Sequence, residues 1–216
     1  MAIAGGNIRL DSTEGMDKIT QTEKVTSPYF SNGTSTLAAA SVVSTSLNAT
    51  NKSYFQGISN SGTPTVEEFN VAFGSTNGYG VSLEANTKSE TEAIYKQYAG
   101  LLLAPTEVTG GFNISKQGSH AAALSAKDEE IYIMSSRRSN MKDRINKGTW
   151  TVTFSGSAAD LSGVVLKLTD DSSTTSPTAT PVGDRYNIVS GAAGTAHNAA
   201  TSQSFGFFYP DMGIMV

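Results

Sequence analysis

Between Thr149 and Phe154 the chain reads TWTVTF, three large apolar residues parted by single threonines. A two-residue period places Trp150, Val152 and Phe154 on one side of an extended backbone, whereas a helix would scatter them around its circumference. The period recurs at Phe69, Val71 and Phe73, at Val164, Leu166 and Leu168, at Tyr186 and Ile188, and at Phe205, Phe207 and Tyr209. Turn-rich stretches separate these runs, among them GSTNGYG (74–80) and DDSSTTSPTATP (170–181). Such a pattern predicts a fold built mainly from short strands.

Two segments break the period. Ile94, Tyr95, Tyr98, Leu101 and Leu102 recur at helical spacing, Ser89 and Glu92 form a capping box, Glu92 and Lys96 pair one turn apart, and Pro105 ends the run. Further on, Ser135 or Ser136 caps a predicted short basic helix on which Met141 and Ile145 share a face, with Gly148 as the residue after its C-cap. The connection from Ile131–Met134 to the Trp150 strand is too long for a tight hairpin, and the sequence leaves its pairing direction open. The expected fold is therefore α+β and β-dominated: mainly antiparallel strands packed by the Ser89–Leu103 amphipathic helix, with one short basic helix at an edge or interface.

Residues 1–24 lack periodicity and read as an N-terminal arm or irregular lead-in, and 25–216 as one β-rich structural domain. Leu37–Leu47 is ambiguous between helix and strand. The closing Gly213-Ile214-Met215-Val216 is an apolar β-forming run. It predicts either pairing with a neighbouring subunit or the ordered front part of a longer polypeptide, and the second is the expected one.

Charge and composition narrow the function. The net charge of −4 argues against a dedicated nucleic-acid binder, which carries a strongly basic balance. There is no cysteine, so disulfides and thiolate metal sites are excluded. No secretory signal is expected at the start, and no apolar window approaches the ~18 residues of a membrane-spanning helix. Charged residues are only 16% of the chain, below the ~25% of ordinary soluble domains, so Ser, Thr, Asn and Gln must supply much of the polar surface. A surface of that kind suits a protein covered by neighbours.

Catalytic and metal chemistry find little support. His120 and His197 are far apart and lack the spacing of a metal site. GSTNGYG lacks the Lys-Ser/Thr of a phosphate loop and reads as a turn. Asp170-Asp171 offers two oxygen ligands for a hard cation, but a solvated loop tip is the ordinary reading. The Asn-X-Ser/Thr triplets at Asn32, Asn48, Asn51 and Asn113 are what a Ser/Thr-rich chain produces by chance. No cofactor, no metal and no enzymatic activity are expected.

The cluster Arg137, Arg138, Lys142, Arg144 and Lys147 places five of the 15 basic residues within eleven positions. The ordinary reading is a solvated helix face. The functional reading is an ion-pair contact to the carboxylates of a partner, because the arginine fork suits them. Stacking aromatics are missing between the charges, which lowers the nucleic-acid option.

One further property is the wording of the chain. Phe69-Asn70-Val71-Ala72-Phe73-Gly74 with Gly78 and Gly80 precedes Ala93-Ile94-Tyr95-Lys96-Gln97-Tyr98 and Leu101-Leu102-Leu103. Then come Ile131-Tyr132-Ile133, Arg138, Met141-Lys142-Asp143-Arg144-Ile145 and Gly148, and finally Phe208-Tyr209-Pro210-Asp211-Met212-Gly213-Ile214. This series, over residues 66–216, resembles large virion structural proteins, of baseplate or neighbouring tail type, in contractile-tailed phages related to those of marine cyanobacteria. The stretch after Trp150 departs most from the pattern. The resemblance implies an assembly role in the virion tail, put together in the host cytoplasm, with repeated copies in a symmetric array contacting other tail and baseplate subunits. Candidate contact residues are Arg137, Arg138, Arg144, Ile214, Met215 and Val216. The alternative is a receptor- or glycan-binding module, with Tyr54 or Tyr79 as aromatic platforms.

Overall fold

The computed structural model describes residues 26–27, 30, 55–60, 65–78, 90–107, 111–114, 127–155, 165–197 and 204–216. The arm 1–24, the Leu37–Leu47 segment and the Ser89 cap lie outside them. In chain order the elements are β1 (Thr26–Ser27), β2 (Phe55–Ser59), β3 (Glu67–Ser75), α1 (Glu90–Leu102), β4 (Glu130–Ser136), a 3-10 turn (Arg138–Asn140), β5 (Arg144–Ile145), β6 (Val152–Ser155), β7 (Val165–Asp170), β8 (Thr178–Thr180), β9 (Gly183–Ala192), β10 (Thr195–Ala196), β11 (Ser204–Tyr209) and β12 (Ile214–Met215). The protein is β-dominated with one α-helix among the described residues, and every pairing in its main sheet is antiparallel.

That sheet runs β2-β3-β4-β12-β11-β9-β7-β6, with β8 and β10 also paired to β9. β1 and β5 form a separate parallel pair. The two strands flanking the basic segment, β4 and β6, lie far apart in this order, so no crossover joins them as neighbours. At the centre, β12 binds β4 through Ile214↔Ser135 and Met215↔Met134, and β11 through Phe208↔Met215 and Tyr209↔Ile214. The two-residue β12 is therefore the link between the sheet's halves.

Two cores lie on opposite faces. On one, Tyr95, Ala99 and Leu102 of α1 pack with Leu103, Phe112, Ile131, Ile133, Phe207, Tyr209, Ile214 and Val216. On the other, Leu168, Tyr186, Ile188, Phe208 and Met215 gather under Trp150, Val152 and Leu166. Trp150 meets Phe208 edge to face, with centroids 5.2 Å apart. Because both faces of β11 are covered, Phe207, Phe208 and Tyr209 are all buried, each worth roughly 1.5–3 kcal/mol of hydrophobic stabilisation.

The helix lies on the face of β3 that carries its small residues. Phe69, Val71 and Phe73 are only half-buried, and α1 sits instead over Ala72 and Gly74. Small residues favour this: a Cβ at Gly74 would stand 3.1 Å from the Tyr95 backbone, tighter than ordinary contact, so a side chain there would push the helix outward by a few tenths of an ångström. Within α1 the buried stripe is Thr91, Tyr95, Ala99 and Leu102, with Ile94 and Tyr98 packed beside it. Leu101, expected in the core, is 40% exposed. Lys96 pairs with Glu92 as its spacing predicts. No helix among the described residues is long and apolar enough to cross a membrane.

Candidate subunit-contact site

The basic segment is not the expected α-helix carrying Met141 and Ile145 on one face. β4 runs through Ser136, a single 3-10 turn follows at Arg138–Asn140, and Arg144–Ile145 is extended. Tertiary hydrogen bonds account for this. The Ser136 N–H donates to the Gly213 carbonyl (2.7 Å), that of Arg137 to Glu68 (3.0 Å), and that of Ile145 to Pro210 (3.1 Å). An isolated helix of about ten residues is marginal in water, so anchors of this kind prevail. Gly148 does hold a positive φ, 71°, but in a loop, where its N–H donates to the Asp170 carboxylate.

A polar network unannounced by any local pattern pins the turn. Glu68 is 4% exposed, and its carboxylate accepts from Asn60 Nδ2 at 2.8 Å and Asn140 Nδ2 at 3.2 Å. Asn140 Nδ2 also donates to the Glu67 carbonyl at 2.9 Å. The β2–β3 region and the distant 3-10 turn thus meet around one buried carboxylate. Only the odd placement of an acid on an otherwise alternating strand hints at it.

The cations of the cluster fare differently. Lys147 is committed internally, donating to the Tyr186 hydroxyl at 2.7 Å while lying 5.0 Å from that ring's centroid. Arg144 is half-buried, and its Nε is buried with no hydrogen-bond partner among the described residues. Arg138 is exposed, but its Nη1 donates to the carbonyls of Asp143 (3.3 Å) and Asp211 (3.4 Å). Arg137 is exposed, and its guanidinium has no partner among the described residues. It stands between the end of β4 and the 3-10 turn, with its backbone held at φ −68°, ψ 117°.

The apolar C-terminal residues take a different role from the expected one. Ile214, Met215 and Val216 are 5%, 7% and 8% exposed, inside the two cores. The Val216 and Phe207 backbones exchange hydrogen bonds of 2.9 and 2.8 Å. Their apolar character is accounted for by the chain's own core, and as a subunit-contact patch they are corrected.

Asp170 and Asp171 are not a solvated loop tip either. Asp170 is fully buried and accepts from the N–H groups of Gly148 and Ser172. Asp171 accepts from the Asn187 N–H at 3.0 Å and from its Nδ2 at 2.9 Å. Oxygens already engaged by N–H donors are poorly placed to hold a cation. No group of three or more His, Asp or Glu gathers as a metal site among the described residues. His197 is exposed, while His120, Tyr54 and Tyr79 lie outside the described residues.

An ion pair ties the turn that follows α1 to the sheet. Arg185 makes contacts of 3.3 Å to the Glu107 carboxylate and lies 4.5 Å from the Phe207 ring centroid. Comparison with protein families, with curated proteins and with solved structures finds no match to the chain.

Proposed function

We propose that the chain is a structural component of a contractile phage tail, in the baseplate, acting by binding neighbouring subunits in multiple copies and not by catalysis. The observation that carries this reading is Arg137, exposed, its guanidinium unpartnered among the described residues, and its backbone anchored beside the Glu68–Asn140 network. The planar guanidinium fork forms bidentate bonds to a partner carboxylate. The ordered wording over residues 66–216 supplies the phage context, and the low charge content fits a surface covered by neighbours.

The test is assembly. The wild-type chain should co-purify in a particle-sized complex, and Arg137→Glu should weaken that association at least about tenfold, roughly 1.4 kcal/mol. Its thermal midpoint should stay unchanged, because the side chain is exposed and its guanidinium has no partner among the described residues. A stable, catalytically active monomer would sink the proposal, and normal assembly of the variant would refute the Arg137 contact.

Tyr132 favours a second reading, a glycan- or receptor-binding module. It is 61% exposed and lies 5.3 Å from Phe73 with the rings tilted by 46°, an aromatic pair on the face away from α1. Glycan-array binding that Tyr132→Ala abolishes would select this reading.

A further inference from the structure

The ends of the main sheet are treated unequally. β2, at one edge, carries Gly57 and a register break between Ile58 and Ser59, and irregularities of this kind discourage edge pairing. β6, at the other edge, pairs with β7 alone among the described residues. From Thr149 to Ser155 there is no charge, proline or glycine. Thr151 and Thr153 are exposed, and Phe154 is 54% exposed.

The direction of the free backbone groups follows from the ladder. The Asp171 N–H donates to the Asn187 carbonyl, so the odd-numbered residues of β7 bond to β9 and the even-numbered ones to β6. Leu168 and Leu166 face Val152 and Phe154 in register, which leaves the N–H and C=O of Thr153 pointing outward.

We propose that β6 is a pairing edge for a second copy of this chain, antiparallel about a two-fold axis at Thr153. The segment is self-complementary in that register. Thr153 falls opposite its own copy, and Val152 falls opposite Phe154 on the same face, so each copy contributes one aromatic and one β-branched residue to two cross-strand pairs. No like charges meet. The seam extends the sheet across the axis and covers Phe154. A four-residue strand pair buries less than the ~1,200 Å² of a stable interface, so association is weak, in the micromolar range or above. The proposal goes beyond the tail reading and uses different residues, so either can fail alone.

The absence of cysteine makes the test clean. Thr153→Cys places two sulfurs across the axis, where paired Cα atoms about 5.5 Å apart lie within disulfide reach. Mild oxidation of this variant should give a covalent dimer. Lys167→Cys, exposed on β7 and about three strand spacings (~14 Å) from its copy, should not. In sedimentation equilibrium from ~1 μM to ~1 mM, the wild type should dimerise with concentration. Thr153→Pro removes only the outward N–H and should weaken dimerisation at least about tenfold at unchanged circular dichroism. A wild type monomeric throughout, a dimer indifferent to Thr153→Pro, or equal cross-linking of the two cysteine variants would overturn the proposal.

Discussion

Tyr209 has no exposure, and its hydroxyl finds no partner at hydrogen-bond geometry. Burial raises its pKa to about 12, and the nearby Arg185 only partly offsets this. Above pH 10 the unfolded chain sheds its phenolic proton while the folded chain keeps it. Stability is therefore intact below pH 10 and falls through about pH 12, by up to about 2–3 kcal/mol. Tyr95 shifts upward mainly through burial and adds to the same loss. Tyr209→Phe should shrink the alkaline loss in denaturant titrations at pH 9 and 11, and should cost little at pH 7 because no hydrogen bond is removed. Ala193 is a second exception at this scale. It holds φ 46° in the two-residue turn joining β9 to β10, where asparagine or glycine is at ease. Ala193→Asn keeps the N–H that donates to Thr151 Oγ1 and should raise stability by about 0.5–1 kcal/mol by thermal melt.

At the scale of elements, the legible parts of the fold were those with a local period. β6, β7, β9 and α1 stand where Val152, Leu166, Ile188 and Tyr95 place them, because alternation and helical spacing report which face is covered. Where partners arrive from far along the chain, the local signal misleads. Met141 and Ile145 look helical, yet the segment is a 3-10 turn and a short extended run, anchored at its two ends by Gly213, Glu68 and Pro210. Phe208 breaks the alternation of Phe207 and Tyr209, and it becomes intelligible only once Trp150 is seen on the second face of β11. Of the candidate site, the arginines were readable as charges, but which of them stays free depends on carbonyls at Asp143 and Asp211. The turn itself offers a test. Asn140→Ala removes the donor to Glu68 and Glu67, and should cost about 1–3 kcal/mol while raising amide exchange around Arg138–Met141 above that of β4.

Across the whole molecule, the sheet is only as continuous as β12. Ile214 and Met215 join β4 to β11, and they also carry side chains into both cores. Met215→Pro deletes the N–H in register with Met134 and should cost about 3 kcal/mol or more. In urea titrations the two halves should then lose their shared transition, giving a lower m-value or two phases. A single unbroken transition at the wild-type midpoint would show that β12 does not couple them. The same placement sets a schedule for synthesis. β4 leaves the ribosome well before β12, and at ~5–20 residues per second its inner edge waits several seconds for its neighbour. During translation the nascent chain must therefore keep that edge from straying to another polypeptide until β12 arrives to cover it.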